Sequence, residues 1–245
     1  MKKVALALSG GLDSTILLHK LVKEYQEENV YPVIFKYGQR HSIEIEMAKK
    51  SCKRLGIEYT VIDISFIGDI VKDNCSLIAG STITPKTAEE NSGNPQVDTY
   101  VPFRNLIFSS ILASFAESNE CDEIYLGLNE VDTYGYWDTS KYFVENLNDV
   151  LALNRNYSLS FVTPFVTLSK SDELIMAKEL SKHFLFDILD YTWSCYNDGN
   201  DSKGKECGKC NTCQEKLTGY IMAGYKSGII LDRFDITLDD LNNLL

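Results

Sequence analysis

The sequence predicts an α/β fold built on a doubly wound parallel sheet. Strand-like and helix-like segments alternate strictly through the first two-thirds of the chain, which is typical of parallel strands joined by helices. The strand segments are short and apolar throughout, as expected for a sheet covered by helices on both faces. Ligands of such folds bind beyond the carboxyl ends of the strands.

The predicted elements follow one another in regular order. The run Val4-Ala5-Leu6-Ala7-Leu8 opens the chain as a strand, and further strand segments cover residues 30–37, 59–64, 123–128 and 160–164. Helical patterns cover residues 13–25, 42–55, 104–118, 141–154 and 170–181. Ser169 and Asp172 form a capping-box pattern, which places Lys170 in the first turn of the last of these helices.

Two stretches lack this alternation. Residues 75–99 are rich in threonine, asparagine and proline and have no apolar periodicity, so we expect a flexible lid over the site or a surface excursion. Near the C-terminus, Thr237 and Asp240 form a second capping pattern. Leucines follow on one face of that helix: Leu238, Leu241, Leu244 and Leu245. We interpret the helix as docked on its own core or as an interface with a second chain.

Length and composition bound the class of protein. The chain has 245 residues, 44% hydrophobic and 24% charged, which is typical of a soluble globular protein with one core or one core plus a small appendage. No apolar stretch is long enough to span a bilayer, and glycines and an acid interrupt the N-terminal apolar run too early for a signal peptide. We therefore expect a cytoplasmic protein with no membrane partner.

The charge of the chain bears on its partners. The formal net charge is −11, and no run of lysine or arginine is visible. Surfaces that bind nucleic acid are usually basic, because phosphate contacts supply most of their affinity. The charge therefore argues against a nucleic-acid partner and favours a small-molecule or protein substrate.

A loop rich in glycine and hydroxyl side chains follows the first strand. It reads Ser9-Gly10-Gly11-Leu12-Asp13-Ser14-Thr15. Such glycines let the backbone approach an anion, while successive N–H groups and a helix N-terminus supply positive potential. The loop lacks the Lys-Ser/Thr ending of the Walker P-loop and resembles instead the pyrophosphatase loop of enzymes that cleave ATP to AMP and pyrophosphate. The alternative is an ordinary strand-to-helix turn.

Four of the seven cysteines cluster near the C-terminus: Cys195, Cys207, Cys210 and Cys213. Their Cys-x-x-Cys spacings suit one tetrahedral Zn²⁺, and because all four ligands are thiols the ion would be structural rather than catalytic. An iron–sulfur cluster and then a redox pair are the alternatives. We assign residues 186–245 to this zinc-binding helical region, packed on an α/β domain of residues 1–185. The other cysteines are interpreted as small buried hydrophobes.

With both motifs placed, the chain resembles the 7-cyano-7-deazaguanine (preQ0) synthase family of the PP-loop ATP-pyrophosphatase superfamily, over nearly its whole length. The matching segments are residues 9–15, Tyr37-Gly38-Gln39-Arg40-His41 with Glu44, Val101-Pro102-Phe103-Arg104-Asn105, Gly127-Leu128-Asn129 with Asp132, Gly135-Tyr136 with Asp138, Leu168-Ser169-Lys170, and Thr192-Trp193-Ser194-Cys195-Tyr196-Asn197. The resemblance implies an adenine nucleotide alpha-hydrolase-like fold.

The resemblance also implies an ATP-dependent C–N ligase of queuosine biosynthesis. In that reaction ATP activates the carboxylate of 7-carboxy-7-deazaguanine as an acyl-adenylate, ammonia converts it to an amide, and a second activation dehydrates the amide to a nitrile. The expected partners are then the deazaguanine and ammonia, and the expected cofactors are ATP, Mg²⁺ and a structural Zn²⁺. We expect a homodimer.

Individual residues acquire roles from the same resemblance. The catalytic set would be Asp13, Arg104 and Lys170, with Asp13 holding Mg²⁺ and the two cations neutralising charge on the phosphates. ATP would be bound by Ser9, Gly10, Gly11, Leu12, Asp13, Ser14, Thr15, Arg40 and His41. Asp132 and Asp138 would accept hydrogen bonds from the guanine-like ring, and Tyr136 or Trp193 would stack on it.

Each of these roles has a simpler alternative. Asp132 and Asp138 could be turn residues, and Trp193 could belong to the core beneath the cysteine cluster. Lys170 could be an exposed residue at a helix start, and Arg40 with His41 could cap the helix that follows them. None of these alternatives requires a ligand.

The sequence departs from the family pattern at four positions. Phe103 stands where the family usually has glycine, while Trp137, Thr139 and Ser140 replace a proline, a cysteine and an arginine. Loss of an arginine from an adenylate pocket is not a neutral change. We therefore expect adenylation to be retained. The alternative to nitrile formation is that another amine, such as a protein amine, attacks the adenylate, or that the reaction stops at the primary amide. A non-catalytic binder and a tRNA-modifying enzyme are further alternatives.

Overall fold

The computed structural model describes residues 2–40, 42–83, 96–129, 136–197 and 204–244. The predicted site residues His41 and Asp132 lie outside these ranges, as does the middle of the stretch 75–99. The two described ends of that stretch meet, because the Ser76 N–H donates to the Asp98 carbonyl at 2.9 Å. The interpretation of the stretch as a lid stays a prediction.

In the described part of the chain, five strands form one sheet. They are β1 (Val4–Ala7), β2 (Val30–Lys36), β3 (Thr60–Asp63), β4 (Glu123–Tyr125) and β5 (Ser160–Val162). Their order across the sheet is β3-β2-β1-β4-β5, and every neighbouring pair is parallel. The chain therefore builds outward from β1 in one direction and then returns to add β4 and β5 on the other side. This reversal between β1 and β4 is where parallel α/β folds open a crevice for ligands.

The strands end earlier than the sequence predicts. β1 ends at Ala7 rather than at residue 8, and β4 ends at Tyr125 rather than at residue 128. The reason at β4 is a close approach of two backbones: a Cβ on Gly127 would lie 3.1 Å from the Ser14 nitrogen. The residues after each strand therefore belong to the loops that form the site.

The helices are α1 (Leu12–Tyr25), α2 (Ile43–Leu55), α3 (Phe66–Val71), α4 (Arg104–Ser118), α5 (Lys141–Leu151), α6 (Lys170–Phe184), α7 (Asn211–Met222), α8 (Ser227–Arg233) and α9 (Leu238–Asn242). The helices predicted between residues 13 and 181 are all present, and α4 has the predicted bounds. None of the described helices is long and apolar enough to cross a membrane.

Alternate residues of β1 face two separate cores. Val4 and Leu6 belong to the core built with α1, α2, α6 and the C-terminal helices. Ala5 belongs to the core on the opposite face, built with α3, α4 and α5. Both faces of the sheet are therefore covered by helices, which confirms the doubly wound fold.

The C-terminal region extends the first of these cores. Tyr220 of α7 and Phe234 are fully buried in it, and α7 packs so closely on α6 that a Cβ on Gly219 would lie 2.9 Å from the Lys170 Cβ. The predicted capping box of Thr237 and Asp240 is formed, and Leu241 is buried. Leu238 and Leu244 stay exposed, so the leucine face is only partly docked. The division at residue 185 stays a prediction.

Candidate active site

A cavity of about 780 Å³ opens at the carboxyl ends of β1, β2 and β4. This is the place and the size expected for the small-molecule site of a parallel α/β fold. The loop after β1, the start of α4, the start of α6 and the start of α7 surround it. Its polar lining includes Ser9, Gly11, Asp13, Ser14, Gln39, Glu44, Arg104, Tyr136, Thr139, Lys170, Ser194, Tyr196 and Lys216.

The loop after β1 is held open by its own serines. The Ser14 hydroxyl accepts hydrogen bonds from the N–H groups of Ser9 and Gly10, at 3.2 and 3.3 Å, and lies 2.9 Å from the Ser9 hydroxyl. Gly11 caps α1 without any side-chain hydrogen bond, which leaves N–H groups of the first turn for an anion. Leu12 and Ser14 also line the cavity, whereas Gly10 and Thr15 lie behind it.

Gly10 is required by geometry. Its φ is +89°, and a Cβ there would lie 2.1 Å from the Glu44 carbonyl oxygen. Any side chain at this position would therefore collide with the first turn of α2. This contact seats α2 on the loop and brings Glu44 to the cavity.

Asp13 and Lys170 form an ion pair inside the cavity, although 157 residues separate them. The Lys170 Nζ lies 2.8 and 2.7 Å from the two Asp13 carboxylate oxygens. The predicted capping box at Ser169 positions Lys170, because the Asp172 N–H donates to the Ser169 hydroxyl at 3.2 Å and the Ser169 N–H donates to the Asp172 carboxylate at 3.0 Å. Burial is the largest single influence on Asp13 and opposes its ionisation. The charge of Lys170, the hydrogen bonds from Glu173 and Lys170 and the charge of Lys216 together outweigh it and hold the pKa of Asp13 below its ordinary value.

Glu173 lies buried beside this pair and is not exposed at all. Asn129 donates to its carboxyl at 2.9 Å and to the Leu168 carbonyl at 2.7 Å. Burial and then the charge of Asp13 raise the pKa of Glu173 to about 10, so it is a neutral acid at physiological pH. Sequence reasoning missed this residue, because an acid in the first turn of a helix is an ordinary capping feature.

Arg104 is the first residue of α4 and lies among aromatic side chains. Its guanidinium carbon is 5.8 Å from the centre of the Tyr37 ring, and it is within electrostatic reach of Tyr136 and Tyr196. Burial disfavours the charge, but these tyrosines and Asp138 raise the pKa of Arg104 above its ordinary value. Arg104 is therefore a permanent cation on the wall of the cavity.

Asp138 is placed differently from its predicted role. It is buried and does not line the cavity, and its carboxylate accepts a hydrogen bond from the Asn105 N–H at 3.2 Å. It therefore caps the start of α4 and supports Arg104. Burial raises the pKa of Asp138, against the opposing charge of Arg104. Its predicted contact with the substrate ring stays a prediction.

The two predicted stacking residues both line the cavity. The Tyr136 hydroxyl is hydrogen-bonded to the Thr99 hydroxyl. Trp193 is almost fully buried, its indole N–H donates to the Cys195 carbonyl at 3.1 Å, and its backbone N–H donates to the Gly10 carbonyl at 2.9 Å. Trp193 is therefore packed in the core, as the simpler alternative predicts, and it also lines the cavity.

Arg40 contacts the stretch 75–99 rather than the cavity. Its guanidinium donates to the carbonyls of Ser81 and Ile83, at 2.9 and 3.1 Å, and it does not line the cavity. Its backbone N–H donates to the Leu77 carbonyl at 2.8 Å. In the described residues Arg40 thus anchors the start of the stretch 75–99, and its predicted contact with ATP stays a prediction.

The four clustered cysteines come together as the sequence predicts. Their sulfur atoms all lie within 4.8 Å of one another, and the sulfurs of Cys207 and Cys213 are 3.8 Å apart. A tetrahedral Zn²⁺ with Zn–S bonds of about 2.3 Å places its sulfurs about 3.8 Å apart. Sulfurs around a four-iron cube stand farther apart, because the cube lies between them. The donor set and spacing therefore fit a single tetrahedral ion.

Backbone geometry supports the cysteine cluster. The N–H groups of Lys209 and Cys210 donate to the Cys207 sulfur, both at 3.3 Å, as expected around a thiolate ligand. Gly208 has a φ of +69°, which allows the tight turn between the first two ligands of the knuckle. The three scattered cysteines, Cys52, Cys75 and Cys121, are buried and free, in agreement with their interpretation as small hydrophobes.

A buried ion pair joins this cluster to the cavity. The Lys216 Nζ lies 2.8 Å from a Glu206 carboxylate oxygen, with both side chains about 5% exposed or less. Lys216 also donates to the Thr192 hydroxyl at 3.2 Å, and the Ser194 N–H donates to Glu206. The sequence contains no sign of this pair, because a lysine in the middle of an amphipathic helix is usually exposed.

Glu44 is a second residue that sequence reasoning left without a role. It lies in the first turn of α2 and lines the cavity. Burial raises the pKa of Glu44 to about 7, with Arg104 opposing the shift and Glu206 adding to it. The cavity therefore contains a carboxyl that titrates near neutrality.

The positions that depart from the family pattern lie together. Phe103 is in the left-handed region, with a φ of +55°, which explains why glycine suits this position. Its ring meets Trp137 edge to face, with ring centres 5.6 Å apart, and both side chains are exposed. Thr139 lines the cavity, and Ser140 caps α5 by accepting from the Phe143 N–H at 3.1 Å. Two of the departures therefore form one contact.

Comparison with known proteins places the chain in a family. The family model described as "Queuosine biosynthesis protein QueC" matches residues 3–224. The 7-cyano-7-deazaguanine synthase of Psychromonas ingrahamii is 36% identical over 236 residues, covering 93% of this chain and 97% of that protein. The synthase of Caldicellulosiruptor bescii is 34% identical over 237 residues, covering 97% of this chain and 99% of that protein.

Among solved structures, the chain is similar to the NH3-dependent NAD synthetase of Campylobacter jejuni, at 21% identity and a TM-score of 0.45, with 94% of this chain and 83% of that chain covered. A likeness of this degree says nothing about the site. The family match and the curated relatives, by contrast, span almost the whole chain. The chain therefore belongs to the QueC family, as its sequence predicts, and is an enzyme of the ATP-dependent C–N ligase class.

Proposed function

We propose that this enzyme converts 7-carboxy-7-deazaguanine to 7-cyano-7-deazaguanine, with cleavage of ATP to AMP and pyrophosphate. The observation that carries the proposal is the meeting, in one cavity, of a backbone anion cradle, the Asp13 carboxylate and the cations Arg104 and Lys170. The product comes from the names of the curated relatives, and the substrate is the one that the resemblance of the sequence implies.

The loop after β1 would bind the phosphates of ATP. The N–H groups at the start of α1 and the hydroxyls of Ser9 and Ser14 face the cavity and can donate to phosphate oxygens. Lys170 neutralises Asp13 in the structure. Bound phosphates would offer Lys170 a new partner, which frees Asp13 to hold Mg²⁺. The magnesium ion supplies further neutralisation of the phosphate charge.

The proposed reaction has three balanced steps. A carboxylate oxygen of the substrate attacks the α-phosphorus of ATP, and pyrophosphate leaves. Ammonia attacks the acyl carbon, AMP leaves, and the nitrogen loses a proton to give the primary amide. The amide oxygen then attacks the α-phosphorus of a second ATP, pyrophosphate leaves, and the nitrogen loses one of its two protons. Loss of AMP and of the remaining N–H proton then gives the nitrile.

Arg104 and Lys170 act in these steps by electrostatic stabilisation. Charge moves onto the leaving pyrophosphate as the carboxylate attacks, and two cations already fixed on the cavity wall stabilise it without reorganisation. Capping fixes both residues: Asp138 caps the helix that begins with Arg104, and Ser169 caps the helix that begins with Lys170. The deazaguanine ring would stack on Tyr136 or Trp193 and donate to Asp132.

Four further features complete the proposal. The four cysteines would hold a structural Zn²⁺, supported by sulfur spacings that fit one tetrahedral ion. Residues 186–245 would be the region organised by that ion. We place the enzyme in the cytoplasm, where thiols stay reduced, and propose that it is a homodimer.

A second candidate differs only in the acceptor of the acyl group. The contact between Phe103 and Trp137, at two positions that depart from the family pattern beside Arg104, supports an altered entrance. In this candidate an amine other than ammonia, such as a protein amine, attacks the adenylate. The product is then a secondary amide, which cannot become a nitrile. A reaction that stops at the primary amide is the milder form.

The test follows both small molecules and intact proteins by mass spectrometry. The enzyme is incubated with ATP, Mg²⁺ and 7-carboxy-7-deazaguanine, with and without ammonium. We expect AMP, pyrophosphate and the nitrile when ammonium is present. A primary amide as the end product identifies the truncated reaction, and a protein of increased mass identifies the second candidate. Absence of AMP under every condition contradicts the proposal.

Lys170→Met and Lys182→Met provide the matched pair of variants. Both lysines belong to α6, but Lys182 is exposed and Lys170 faces Asp13. We expect Lys170→Met to reduce the rate of AMP formation by about 100-fold or more, which is typical of losing one preorganised electrostatic group. Lys182→Met should match the wild type.

A further inference from the structure

Lys216 is a buried cation that the proposed reaction has not used. Its side chain is 4% exposed, yet the residue lines the cavity. A lysine is rarely buried this far, because removal of an ammonium group from water is costly unless the charge is paired. Packing alone therefore does not explain a buried cation at the wall of a cavity that we propose binds phosphates.

Its hydrogen bonds leave room for a ligand. An ammonium group has three protons to donate. Among the described residues, Glu206 accepts one at 2.8 Å and the Thr192 hydroxyl accepts another at 3.2 Å. These two partners fix the nitrogen in place, and the remaining proton is available to a group in the cavity.

Its charge acts on the phosphate side of the cavity. Lys216 and Lys170 both act electrostatically on Asp13, which lies two residues after the second glycine of the loop. Arg104 is fixed elsewhere on the wall, among Tyr37, Tyr136 and Tyr196. Lys216 is therefore placed to donate a hydrogen bond to a phosphate oxygen beside the loop.

We propose that Lys216 binds a phosphate oxygen of ATP or pyrophosphate and that Glu206 positions it. The inference rests on the proposed function for the identity of the nucleotide, but the binding of a phosphate can be measured without the reaction. It adds a third cation to the phosphate site, contributed by the C-terminal region rather than by the α/β sheet.

The cysteine cluster sets the position of this cation. Glu206 directly precedes Cys207, and its carboxylate accepts from the N–H of Ser194, which directly precedes Cys195. The Thr212 hydroxyl, between two of the cysteines, donates to the Ser194 carbonyl at 2.7 Å. Loss of the metal would release these segments and with them the carboxylate that holds Lys216.

The test measures binding of three probes by calorimetry: pyrophosphate, adenosine and 7-carboxy-7-deazaguanine. We expect Lys216→Met to weaken pyrophosphate binding by about 10- to 100-fold, the usual effect of losing a charge-assisted hydrogen bond. Lys216→Arg should recover most of the affinity, and adenosine and deazaguanine should bind as in the wild type. Unchanged pyrophosphate affinity overturns the inference, and so does a loss confined to deazaguanine.

Two controls keep the result interpretable. Lys216→Met alone leaves a buried carboxylate without a counter-charge, so a Lys216→Met, Glu206→Gln double variant removes both charges and is expected to fold. Lys50→Met changes an exposed lysine of α2 and should bind all three probes normally. A double variant that folds, holds its metal and binds pyrophosphate as the wild type also overturns the inference.

Metal removal tests the role of the cluster. Wild-type enzyme treated with a chelator should lose pyrophosphate affinity down to the level of Lys216→Met and regain it when Zn²⁺ is restored. Unchanged affinity in the metal-free protein overturns the positioning role of the cluster. If the wild type binds pyrophosphate but forms no AMP from the deazaguanine, the proposed function fails while the inference about Lys216 stands.

Discussion

The two walls of the cavity are built in different ways. One wall is the loop after β1, whose backbone is held by the parallel sheet, by Gly10 against α2 and by the serines of the loop itself. The other wall, residues 192–197 with the start of α7, contains no strand and is held by four thiols and the buried pair of Glu206 and Lys216. The first wall depends on hydrogen-bonded secondary structure, and the second depends on a few long-range contacts.

This difference determines what each wall tolerates. Many residues contribute hydrogen bonds to the sheet, so a single substitution in the first wall should destabilise it mainly where the new side chain would clash with a neighbouring backbone. The second wall has no strand to hold its backbone, so the loss of one cysteine ligand removes a support that no sheet hydrogen bond replaces. The hydrogen bond from the Trp193 N–H to the Gly10 carbonyl joins the walls, so damage to one can reach the other.

The largest effect is expected from Cys207→Ser. Structural Zn²⁺ contributes roughly 10–16 kcal/mol of apparent binding free energy in zinc-finger peptides, which exceeds the contribution of any ordinary side-chain contact. The variant should lose its metal and unfold at a much lower temperature, as measured by metal analysis and thermal unfolding. Cys52→Ser, at a buried cysteine outside the cluster, is the control. If Cys207→Ser matches that control, the second wall does not depend on metal.

The next effect is expected from Gly10→Ala in the first wall. A Cβ at Gly10 would lie 2.1 Å from the Glu44 carbonyl, whereas a Cβ at Gly80 meets nothing within 4 Å, although both glycines have a positive φ. Gly80→Ala should therefore lose about 1 kcal/mol of stability from backbone strain alone. Gly10→Ala should lose several times more and should bind pyrophosphate poorly. Equal losses, measured by denaturant unfolding, would mean that the clash is relieved by movement of α2.

A pH-dependent effect is expected from Glu173→Gln beside the first wall. Burial and the charge of Asp13 raise the pKa of Glu173 from 4.5 to about 10. Between these two pKa values the folded chain keeps the proton of Glu173, whereas the unfolded chain has released it. The free energy of unfolding therefore falls as pH rises from the lower value to the higher one. Glutamine imitates the neutral acid, so the variant should be more stable than the wild type at pH 8 by about 1–3 kcal/mol, with the gain shrinking toward pH 5.

Thermal unfolding across pH, without Mg²⁺, measures this effect. Glu179→Gln is the matched control, since Glu179 is exposed on the same helix. Its stability difference from the wild type should be small and should not grow from pH 5 to pH 8. A Glu173→Gln variant with an equally flat difference would show that Glu173 is ionised in the folded chain.

The smallest effect is expected from Phe103→Gly, at the residue that precedes Arg104. Glycine relieves the left-handed backbone at a φ of +55°, worth about 1–2 kcal/mol, but loses an aromatic contact with Trp137 worth about 0.5–1.5 kcal/mol. These terms nearly cancel, so denaturant unfolding should detect a change of about 1 kcal/mol or less. Phe66→Gly, at a similarly exposed phenylalanine in α3 without a positive φ, should be clearly destabilising. Equal losses would mean that Phe103 is not strained.

Sequence reasoning succeeded where function is local in the chain. The loop after β1, the capping box that places Lys170 and the spacing of the four cysteines each lie within a short segment, so their residue types and intervals predict the local structure. The carboxyl ends of parallel strands meet at one edge, which is why Asp13 and Lys170 could be expected at one site although the chain between them is long.

It failed where a residue takes its character from distant neighbours. Glu44, Glu173 and Lys216 occupy ordinary positions in amphipathic helices, and nothing in their local sequence distinguishes them from exposed residues. Their burial comes from the packing of α2 on the loop, of α6 beside Asn129 and of α7 beside Thr192. Asp138 is a further example. Its carboxylate contacts the start of α4 instead of lining the cavity, and this position depends on a contact between segments that are distant in the sequence.

The order of residues along the chain was thus sufficient for the sheet, the glycine- and serine-rich loop after β1, the clustering of the four cysteines and the family, because each rests on short-range periodicity or spacing. The packing of the folded chain was needed to establish which acids are neutral, which lysine is buried and to which wall of the cavity that lysine belongs. The physical reason is that propensity and spacing act over a few residues, whereas desolvation and charge pairing depend on atoms that meet only when the helices are packed on the sheet.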